Sequence, residues 1–396
     1  MSGKPNFTER KYLTIFLFVT SLFLCWGVAL TLGDVLNRHF QHVLHISKSR
    51  SGLVQLSLFG AYAVMGIPAG IFMKRFGYKR GILLGLLLYA SGAFLFIPAA
   101  EAVSFNFFRL ALFVLACGLA TLETVAHPLI ASLGDQRTSD QRINFAQSFN
   151  GLGGVIGPAL GSYVILKESN DLLAVRDLYM VIGGVIAALG LVFLFIKVPS
   201  VQYAAHEELG EAKPLIRQKH FVFAALAQFF NTAAQGGTWA YFINYGHDVM
   251  GLHDEKAGYF FSLSMILLMI GRFVGTGLMR VIAPYKLLAL FAGMNILMCV
   301  IVAQQWGWIS FVALLMINFF FSIMFPTIFS LGLKNLGKHT QQASSFIVMG
   351  VVGGGVFPPL MGLIANHNVA AAYYLPIICY IVILLYGYNY PRLANK

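Results

Sequence analysis

The chain has 396 residues, of which 58% are hydrophobic and 11% are charged, and its formal net charge is +12. So large an apolar share excludes an ordinary soluble domain, and four cysteines that lie singly in apolar runs exclude a disulfide framework. The basic residues are spread between the apolar runs rather than gathered on one surface, which excludes a nucleic-acid partner.

Twelve apolar runs follow one another along the chain, separated by short polar breaks. A bilayer core about 30 Å thick needs roughly 20 apolar residues per helix, and in lipid a helix satisfies its own backbone groups. We therefore predict an all-α membrane protein with twelve transmembrane helices. The predicted spans are 12–33, 52–72, 81–100, 107–133, 143–166, 178–198, 221–246, 256–279, 286–304, 308–333, 342–365 and 370–390.

The basic residues between the spans are distributed unequally across the membrane. If the N-terminus is cytoplasmic, 19 of the 27 Lys and Arg lie on the cytoplasmic side, seven lie on the other side, and Arg272 lies within a span. Because cytoplasmic loops carry the excess of basic residues, both termini are predicted to face the cytoplasm. The predicted location is the bacterial inner membrane, crossed many times by one chain.

The longest polar stretch, 199–220, is predicted to be a cytoplasmic linker between two six-helix halves, 1–198 and 221–396. The halves repeat in sequence: His127 to Gly134 matches Phe325 to Gly332 at an offset of 198, with five of eight residues identical. Duplicated halves of six helices are typical of transporters whose solute site lies between the halves near the midplane of the membrane.

The loop after the second span carries a motif. Gly70, Lys74, Arg75, Gly77 and Arg80 stand in a segment that resembles the signature loop of the major facilitator superfamily. This resemblance implies the major facilitator fold, with two pseudo-symmetric halves of six helices. The segment departs from the motif at Lys74, where the superfamily usually has an Asp.

Two carboxylic acids are embedded in predicted helices, among the 15 acidic residues of the chain. Asp34 lies near the outer end of span one, and Glu123 lies deep in span four. A charged carboxylate in hydrocarbon costs several kcal/mol, so such residues usually face a cavity, pair with another group or carry protons. We predict that Glu123 and Asp34 couple transport to protons. The alternative is that each carboxyl only joins neighbouring helices by a hydrogen bond.

Polar and aromatic side chains within the spans are candidates for solute binding. Neutral amides bond hydroxyl groups in pairs, and a flat ring packs against the apolar face of a pyranose. We therefore predict that a monosaccharide-like solute is bound. Separately, the chain is predicted to act as a monomer in the lipid bilayer. There are two alternatives. The amides could serve only to hydrogen-bond neighbouring helices, and His127, one turn after Glu123, could be a core residue whose hydrogen bonds are satisfied within the protein. The candidate residues are Trp26, His127, Gln147, Asn150, Asn231, Gln235 and Trp239.

The sequence gives no support for a metal site or an enzyme. His39, His42 and His45 follow span one at steps of three, but they have no acidic or cysteine partner, so we interpret them as a solvated helix end. The chain contains no HExxH, GxSxG, P-loop or GxGxxG motif. We predict no catalytic activity, no metal and no cofactor other than the proton as coupling ion.

Several longer segments resemble the fucose–proton symporters of the major facilitator superfamily. The resemblance implies that Glu123 is the proton-carrying glutamate, that Asp34 is a second essential acid, and that Gln147 and Asn150 are polar residues of the cavity. The segments are 118–124, 144–150, 227–229, 234–239, 271–276 and 326–337.

The departures from this family fall in the predicted cavity. Members tend to have asparagines before the acid of span one, where this chain has Leu30 to Gly33, and an Asn where His127 stands. Fewer amides weaken hydroxyl recognition, so the solute is expected to be a different hexose, a deoxy or amino sugar, or a less hydroxylated compound. Two other functions fit the sequence: a proton-driven exporter of apolar compounds, and a membrane receptor that binds a solute without moving it.

Overall fold

The computed structural model describes residues 8–134, 138–167, 171–198, 214–334, 336 and 340–394. The helices of the first half are α1 (Leu13–Val43), α2 (Lys48–Ser51), α3 (Leu53–Phe94), α4 (Phe96–Glu101), α5 (Phe105–Ser132), α6 (Ser139–Gly161) and α7 (Leu172–Phe195). The helices of the second half are α8 (Lys219–Ala240), α9 (Phe242–Asp248), α10 (Asp254–Leu278), α11 (Pro284–Ala303), α12 (Trp308–Phe321), α13 (Met324–Leu333), α14 (Thr340–Met349), α15 (Gly353–Ala365), α16 (Val369–Ala372) and α17 (Leu375–Ala394).

Each of the twelve predicted spans coincides with one of these helices or with a consecutive pair. Spans two and three share α3, which bends at Gly77, where φ is 81° and ψ is 170°. Such a positive φ is unfavourable for residues with a Cβ, so glycine suits this turn between two membrane crossings. Ten helical segments of the described chain are long and apolar enough to cross a membrane, one of them containing both arms of α3. The amide-rich α8, continued by α9, supplies the remaining crossing.

Span one is longer than predicted, because α1 continues ten residues beyond 33 to Val43. Its last turns are held by aromatic packing: the ring of Phe40 lies 4.8 Å from that of Phe108, between centroids. His39, next to Phe40, is buried and only 1% exposed, whereas His42 and His45 are exposed. The predicted solvated helix end is therefore wrong for His39. Among the described residues, no group of three His, Cys, Asp or Glu could hold a metal ion.

Two hydrophobic cores correspond to the two six-helix halves. One is built mainly from α1 to α7, with Ile243 of α9 and Ala257 of α10 joining it, and the other is built from α8 to α17. At the end of the bundle where α1 begins and α17 ends, hydrogen bonds tie together helices of the same half: Thr8 donates to the Leu133 carbonyl at 2.7 Å, and a ring nitrogen of His220 lies 2.8 Å from the Lys334 carbonyl. We call this end the terminal face and the other end the opposite face. Residues 199–213 of the predicted linker lie outside the described residues.

Close contact between α1 and α6 positions part of the candidate site. A Cβ at Gly27 would collide with the Asn150 carbonyl and lie 2.9 Å from the Gly154 nitrogen. A Cβ at Gly153 would collide with the Leu24 carbonyl. Glycines at these two positions let the backbones touch, as small residues do in membrane helix pairs. Asn150 is thereby placed directly against α1.

Candidate functional site

Glu123 lies on α5 about 13 Å before its C-terminal end and is half-buried. Its carboxyl forms no hydrogen bond or ion pair with the described residues. It lines a cavity of about 10 Å³, together with Phe23 and Trp26 of α1 and Ala126 of its own helix. This volume holds about one water molecule and is far below the roughly 300–1,000 Å³ of a ligand pocket. The carboxyl thus faces a small cavity that is closed to larger solutes in this conformation.

Aromatic rings of α1 and α5 meet beside this cavity. The His127 ring lies edge-on to Phe23 at 5.1 Å and to Trp26 at 6.2 Å, between ring centroids. Trp26 in turn donates its indole N–H to the Tyr62 hydroxyl of α3 at 2.7 Å. The hydrogen bond fixes the orientation of the indole, so Trp26 presents a rigid aromatic surface next to Glu123.

The amides of α6 complete this cluster. His127 Nδ1 lies 3.0 Å from the Glu123 backbone carbonyl, and Gln147 Nε2 lies 2.8 Å from His127 Nε2. A neutral imidazole fits both contacts, donating through Nδ1 and accepting at Nε2. Asn150 Nδ2 donates to the Phe23 carbonyl at 3.3 Å. Both amide nitrogens are therefore engaged, while the side-chain oxygens of Gln147 and Asn150 have no partner among the described residues and are suited to accept hydrogen bonds from hydroxyl groups.

The second predicted acid lies apart from this cluster. Asp34 follows Trp26 by eight residues on α1, which is about 12 Å along the helix. It is 5% exposed, and its Oδ1 accepts a hydrogen bond of 2.7 Å from Gln55 Nε2 of α3. Gln55 Oε1 is buried without a partner in the described chain. The amide of Gln55 can therefore donate a hydrogen bond to a charged Asp34 or, after a flip, accept one from the O–H of the neutral acid.

The second half contributes the predicted residues of α8. Trp239 donates its indole N–H to Asn318 Oδ1 of α12 at 2.8 Å, and Asn318 Nδ2 donates to Ser264 Oγ of α10 at 2.8 Å. This chain fixes the indole in the second half, as Tyr62 fixes Trp26 in the first. Gln235, one turn before Trp239, is half-buried, and its amide has no hydrogen bond to described residues.

Asn231 differs from the other predicted site residues because it is completely buried. Neither its side-chain oxygen nor its nitrogen has a hydrogen-bond partner in the described chain, and the same holds for Gln228, one turn earlier on α8. A buried amide without partners costs about 1–3 kcal/mol, so these two positions are expensive to maintain. In this conformation Asn231 is enclosed in the second half rather than presented to a solute.

Three residues that hold the site together were not predicted from the sequence: Tyr62, Gln55 and Asn318. Gln55 and Asn318 are amides inside apolar spans, the same signal that identified Gln147 and Asn150, and could have been found by it. Tyr62 has no such signal, because tyrosines are frequent in this chain, which has 17 of them.

Charged side chains close the opposite face between the two halves. Arg38 Nε lies 2.8 Å from Asp254 Oδ2, and Lys48 Nζ lies 2.7 Å from Asp248 Oδ2. His247 Nδ1 lies 2.9 Å from Asp254 Oδ1. We call these five residues the closing network. The side chains of Arg38 and Asp254 are only 10% and 13% exposed, so this pair is largely shielded from water.

Uncharged contacts add to the closing network at the same face. Gln41 and Asn244 exchange two amide hydrogen bonds, and Asn37 Nδ2 donates to the Ala240 carbonyl. The Tyr241 hydroxyl lies 2.8 Å from the Lys48 carbonyl. Because these bonds join α1 and α2 to α8 and α9, the two halves are sealed together at the opposite face.

Comparison with known proteins agrees with this architecture. Residues 14–359 match the family model described as Major Facilitator Superfamily. The chain is 36% identical to the L-fucose-proton symporter of Escherichia coli, over 96% of this chain and 93% of the relative, and 35% identical to the glucose/galactose transporter of Brucella abortus, over 96% and 95%. A crystal structure of the major facilitator transporter FucP in the outward conformation superimposes with a TM-score of 0.71 at 36% identity, covering 96% of this chain and 99% of that one. This chain therefore belongs to the major facilitator superfamily and, within it, to the family of the fucose–proton symporters.

Proposed function

We propose that this protein is a secondary active transporter that takes up a monosaccharide together with protons. One observation carries the proposal: the carboxyl of Glu123, inside the membrane and without a partner among the described residues, stands beside a fixed indole and two amides whose oxygens also have no partner there. A carboxyl in this position is suited to bind and release a proton, and the amides and the indole are suited to bind a pyranose. The names of the relatives, a fucose–proton symporter and a glucose/galactose transporter, support a hexose as substrate.

The roles within the site follow from the contacts of each residue. Glu123 carries the coupling proton, and Asp34, held by Gln55 nearer the opposite face, is the second proton-coupling acid. Trp26 and Trp239, one from each half, pack against the sugar ring. Gln147, Asn150 and Gln235 bond its hydroxyl groups.

His127 and Asn231 act less directly in this scheme. His127 is saturated by the Glu123 carbonyl and Gln147, so it positions the Gln147 amide rather than relaying protons. Asn231 is buried in this conformation and would reach the solute only after α8 moves. The proton is the coupling ion, and no other cofactor is part of the proposal.

Transport in this scheme requires the two halves to rock about the site. The closing network seals the opposite face here, so a solute bound beside Glu123 would leave through the terminal face. With both termini cytoplasmic and the protein in the inner membrane, that direction is inward. The protein is proposed to work as a monomer, because each half supplies part of one site.

Uptake into proteoliposomes tests this function. The purified protein is reconstituted, an inward proton gradient is imposed, and accumulation of labelled L-fucose, D-glucose and D-galactose is followed with and without a protonophore. We expect accumulation of at least one hexose that the protonophore abolishes. Outward, proton-driven movement of apolar dyes would indicate the exporter, and hexose binding without flux would indicate a receptor; either result would refute the proposal.

A further inference from the structure

A groove runs between α3 and α5 on the outer surface of the first half, away from the candidate site. Its volume is about 440 Å³. Polar side chains line the part nearest the opposite face, where both helices begin, and apolar side chains line the part that continues into the membrane. The residues used in the argument are Ser57, Asn106 and Arg109 at the polar end and Gly60, Val64 and Leu110 at the apolar end.

Two guanidinium groups, that of Arg109 in the groove and that of Arg50 beside the same aromatic ring, have no anionic partner among the described residues. The guanidinium carbons of Arg50 and Arg109 lie 5.7 and 5.9 Å from the centroid of the same Phe105 ring. Neither arginine has a carboxylate within ion-pair distance in the described chain. Among the described residues, Arg109 makes one long contact, 3.4 Å from Nη1 to Asn106 Oδ1, and its buried Nε has no hydrogen-bond partner there.

This arrangement differs from that of a basic residue that only extends into water at the membrane edge. Such a side chain keeps its charged head hydrated. Here Nε of Arg109 is shut off from water, and a second positive charge lies beside the same aromatic ring. Two neighbouring positive charges, one with an unsatisfied N–H donor, become favourable when one anion binds both. The planar guanidinium group matches the geometry of phosphate oxygens.

The apolar end fits a hydrocarbon chain. Val64 and Leu110 are 57% and 53% exposed on this membrane-facing surface. A Cβ built at Gly60 meets no heavy atom within 4 Å, so the groove is open along its floor. A phosphate at the membrane edge joined to a chain that runs into the bilayer is the shape of a phospholipid.

We propose that this groove is a binding site for one anionic phospholipid, with its phosphate on Arg109 and Arg50 and one acyl chain along Gly60 and Val64. The preference for an anionic headgroup follows from charge. Zwitterionic lipids would bring an ammonium group next to two guanidinium groups, whereas phosphatidylglycerol adds no positive charge. Each arginine near the membrane surface contributes about a fivefold gain in affinity for anionic lipid.

Native mass spectrometry of the intact, detergent-purified protein tests the site. The protein is titrated with phosphatidylglycerol or with phosphatidylcholine of the same acyl chains, and the lipid-bound fraction is measured. We expect one tight phosphatidylglycerol site and no equally tight phosphatidylcholine site. Affinity for phosphatidylglycerol should fall about fivefold in Arg109→Gln and about thirtyfold when Arg50→Gln is added.

A second variant addresses the acyl chain, and matched variants serve as controls. Gly60→Phe places a ring in the groove at a position where a Cβ meets no heavy atom within 4 Å, keeps both arginines, and should also abolish the tight site. Arg176→Gln removes an arginine near the opposite face that is already paired with Asp177 at 2.8 Å, and Gly184→Phe adds the same ring at another glycine with open space around it. Both controls should bind phosphatidylglycerol as the unmodified protein does. Equal binding of the two lipids, or unchanged phosphatidylglycerol binding in the double arginine variant and in Gly60→Phe, would overturn the proposal.

Discussion

At the scale of single residues, Glu123 is the group on which we propose that proton coupling depends. Glu123→Gln keeps the shape of the neutral acid but cannot release a proton. We expect the variant to retain hexose binding and exchange of sugar across the membrane, and to lose accumulation against a gradient. The measurement is uptake into proteoliposomes under an inward proton gradient, compared with exchange of labelled for unlabelled sugar at equal pH.

Asp34→Asn provides the comparison for this prediction. The two acids are separated along α1 and α5 and have different partners, so the two variants need not behave alike. If Glu123→Gln still accumulated sugar in a proton-dependent way while Asp34→Asn did not, the coupling role would belong to Asp34.

Asn318 fixes Trp239, so it should affect affinity without touching the solute. Asn318→Ala removes the acceptor of the Trp239 indole N–H and the donor to Ser264. Because one such hydrogen bond contributes about 0.5–1.5 kcal/mol, we expect about two- to tenfold weaker sugar binding in a titration. Asn295→Ala is the control, since Asn295 is a buried amide on α11 without a partner in the described chain. Equal losses in both variants would mean that general destabilisation, not the indole, causes the effect.

The chemical types of the site residues could be predicted from the sequence, whereas their pairing could not. A lone carboxyl, amides and indoles can be recognised in the sequence of apolar helices because polar groups are costly in lipid. Which of them meet depends on the rotation of neighbouring helices about their axes. The hydrogen bond from Trp26 to Tyr62 joins residues 36 apart, and that from Gln55 to Asp34 joins residues 21 apart. No periodicity within one helix encodes such contacts.

At the scale of helices, the closing network holds α1 against α10 at the opposite face. Arg38→Gln removes a largely shielded ion pair with Asp254, and we expect the closed face to lose about 1–3 kcal/mol of stabilisation, a value between those of exposed and buried pairs. Spin labels at Ala102→Cys and Trp306→Cys, one on each half, report the separation by double electron–electron resonance. The variant should show a new population at longer distance.

Arg176→Gln is the matched control for this measurement. Arg176 pairs with its neighbour Asp177 within α7, so its loss removes a charge but no contact between the halves. If the distance distribution were the same in Arg38→Gln, in Arg176→Gln and in the unmodified protein, the ion pair would not contribute to closure.

The lengths of the helices followed from the apolar runs except where polar residues are buried. Span one was predicted to end near 33, with Asp34 at its outer end, yet α1 continues to Val43 and carries Asn37, Arg38 and His39 in its last turns. Of these residues, Asp34, Asn37 and Arg38 form hydrogen bonds with α3, α8 and α10, respectively. Hydropathy measures how strongly a segment prefers lipid. A span predicted from hydropathy therefore stops where the helix begins to carry polar residues that face protein, although the helix itself continues.

At the scale of the whole molecule, the twofold repeat could be predicted from the sequence, but the chemical difference between the two halves could not. His127 and Phe325 occupy equivalent positions, 198 residues apart, and yet only the first half places a histidine beside an amide there. The duplicated halves are thus similar in fold and unequal in chemistry. The proposed proton-coupling residue, Glu123, lies in the first half, whereas the contacts that close the opposite face come from both halves.

The orientation of the whole molecule in the membrane follows from its charges. With 19 Lys and Arg on the side of the termini and seven on the other, the terminal face should be cytoplasmic.

The test is labelling of single introduced cysteines in intact cells by a membrane-impermeant maleimide. Ile216→Cys replaces a side chain that is 83% exposed next to α8, and Ala102→Cys lies in an exposed connection at the opposite face. Three native cysteines are buried and Cys25 is partly buried, so the background should be low. We expect rapid labelling at 102 and labelling at 216 only after the cells are opened. Strong labelling at 216 in sealed cells would show that the topology is the reverse of the predicted one. The sugar, which the closed opposite face forces to leave through the terminal face, would then move outward.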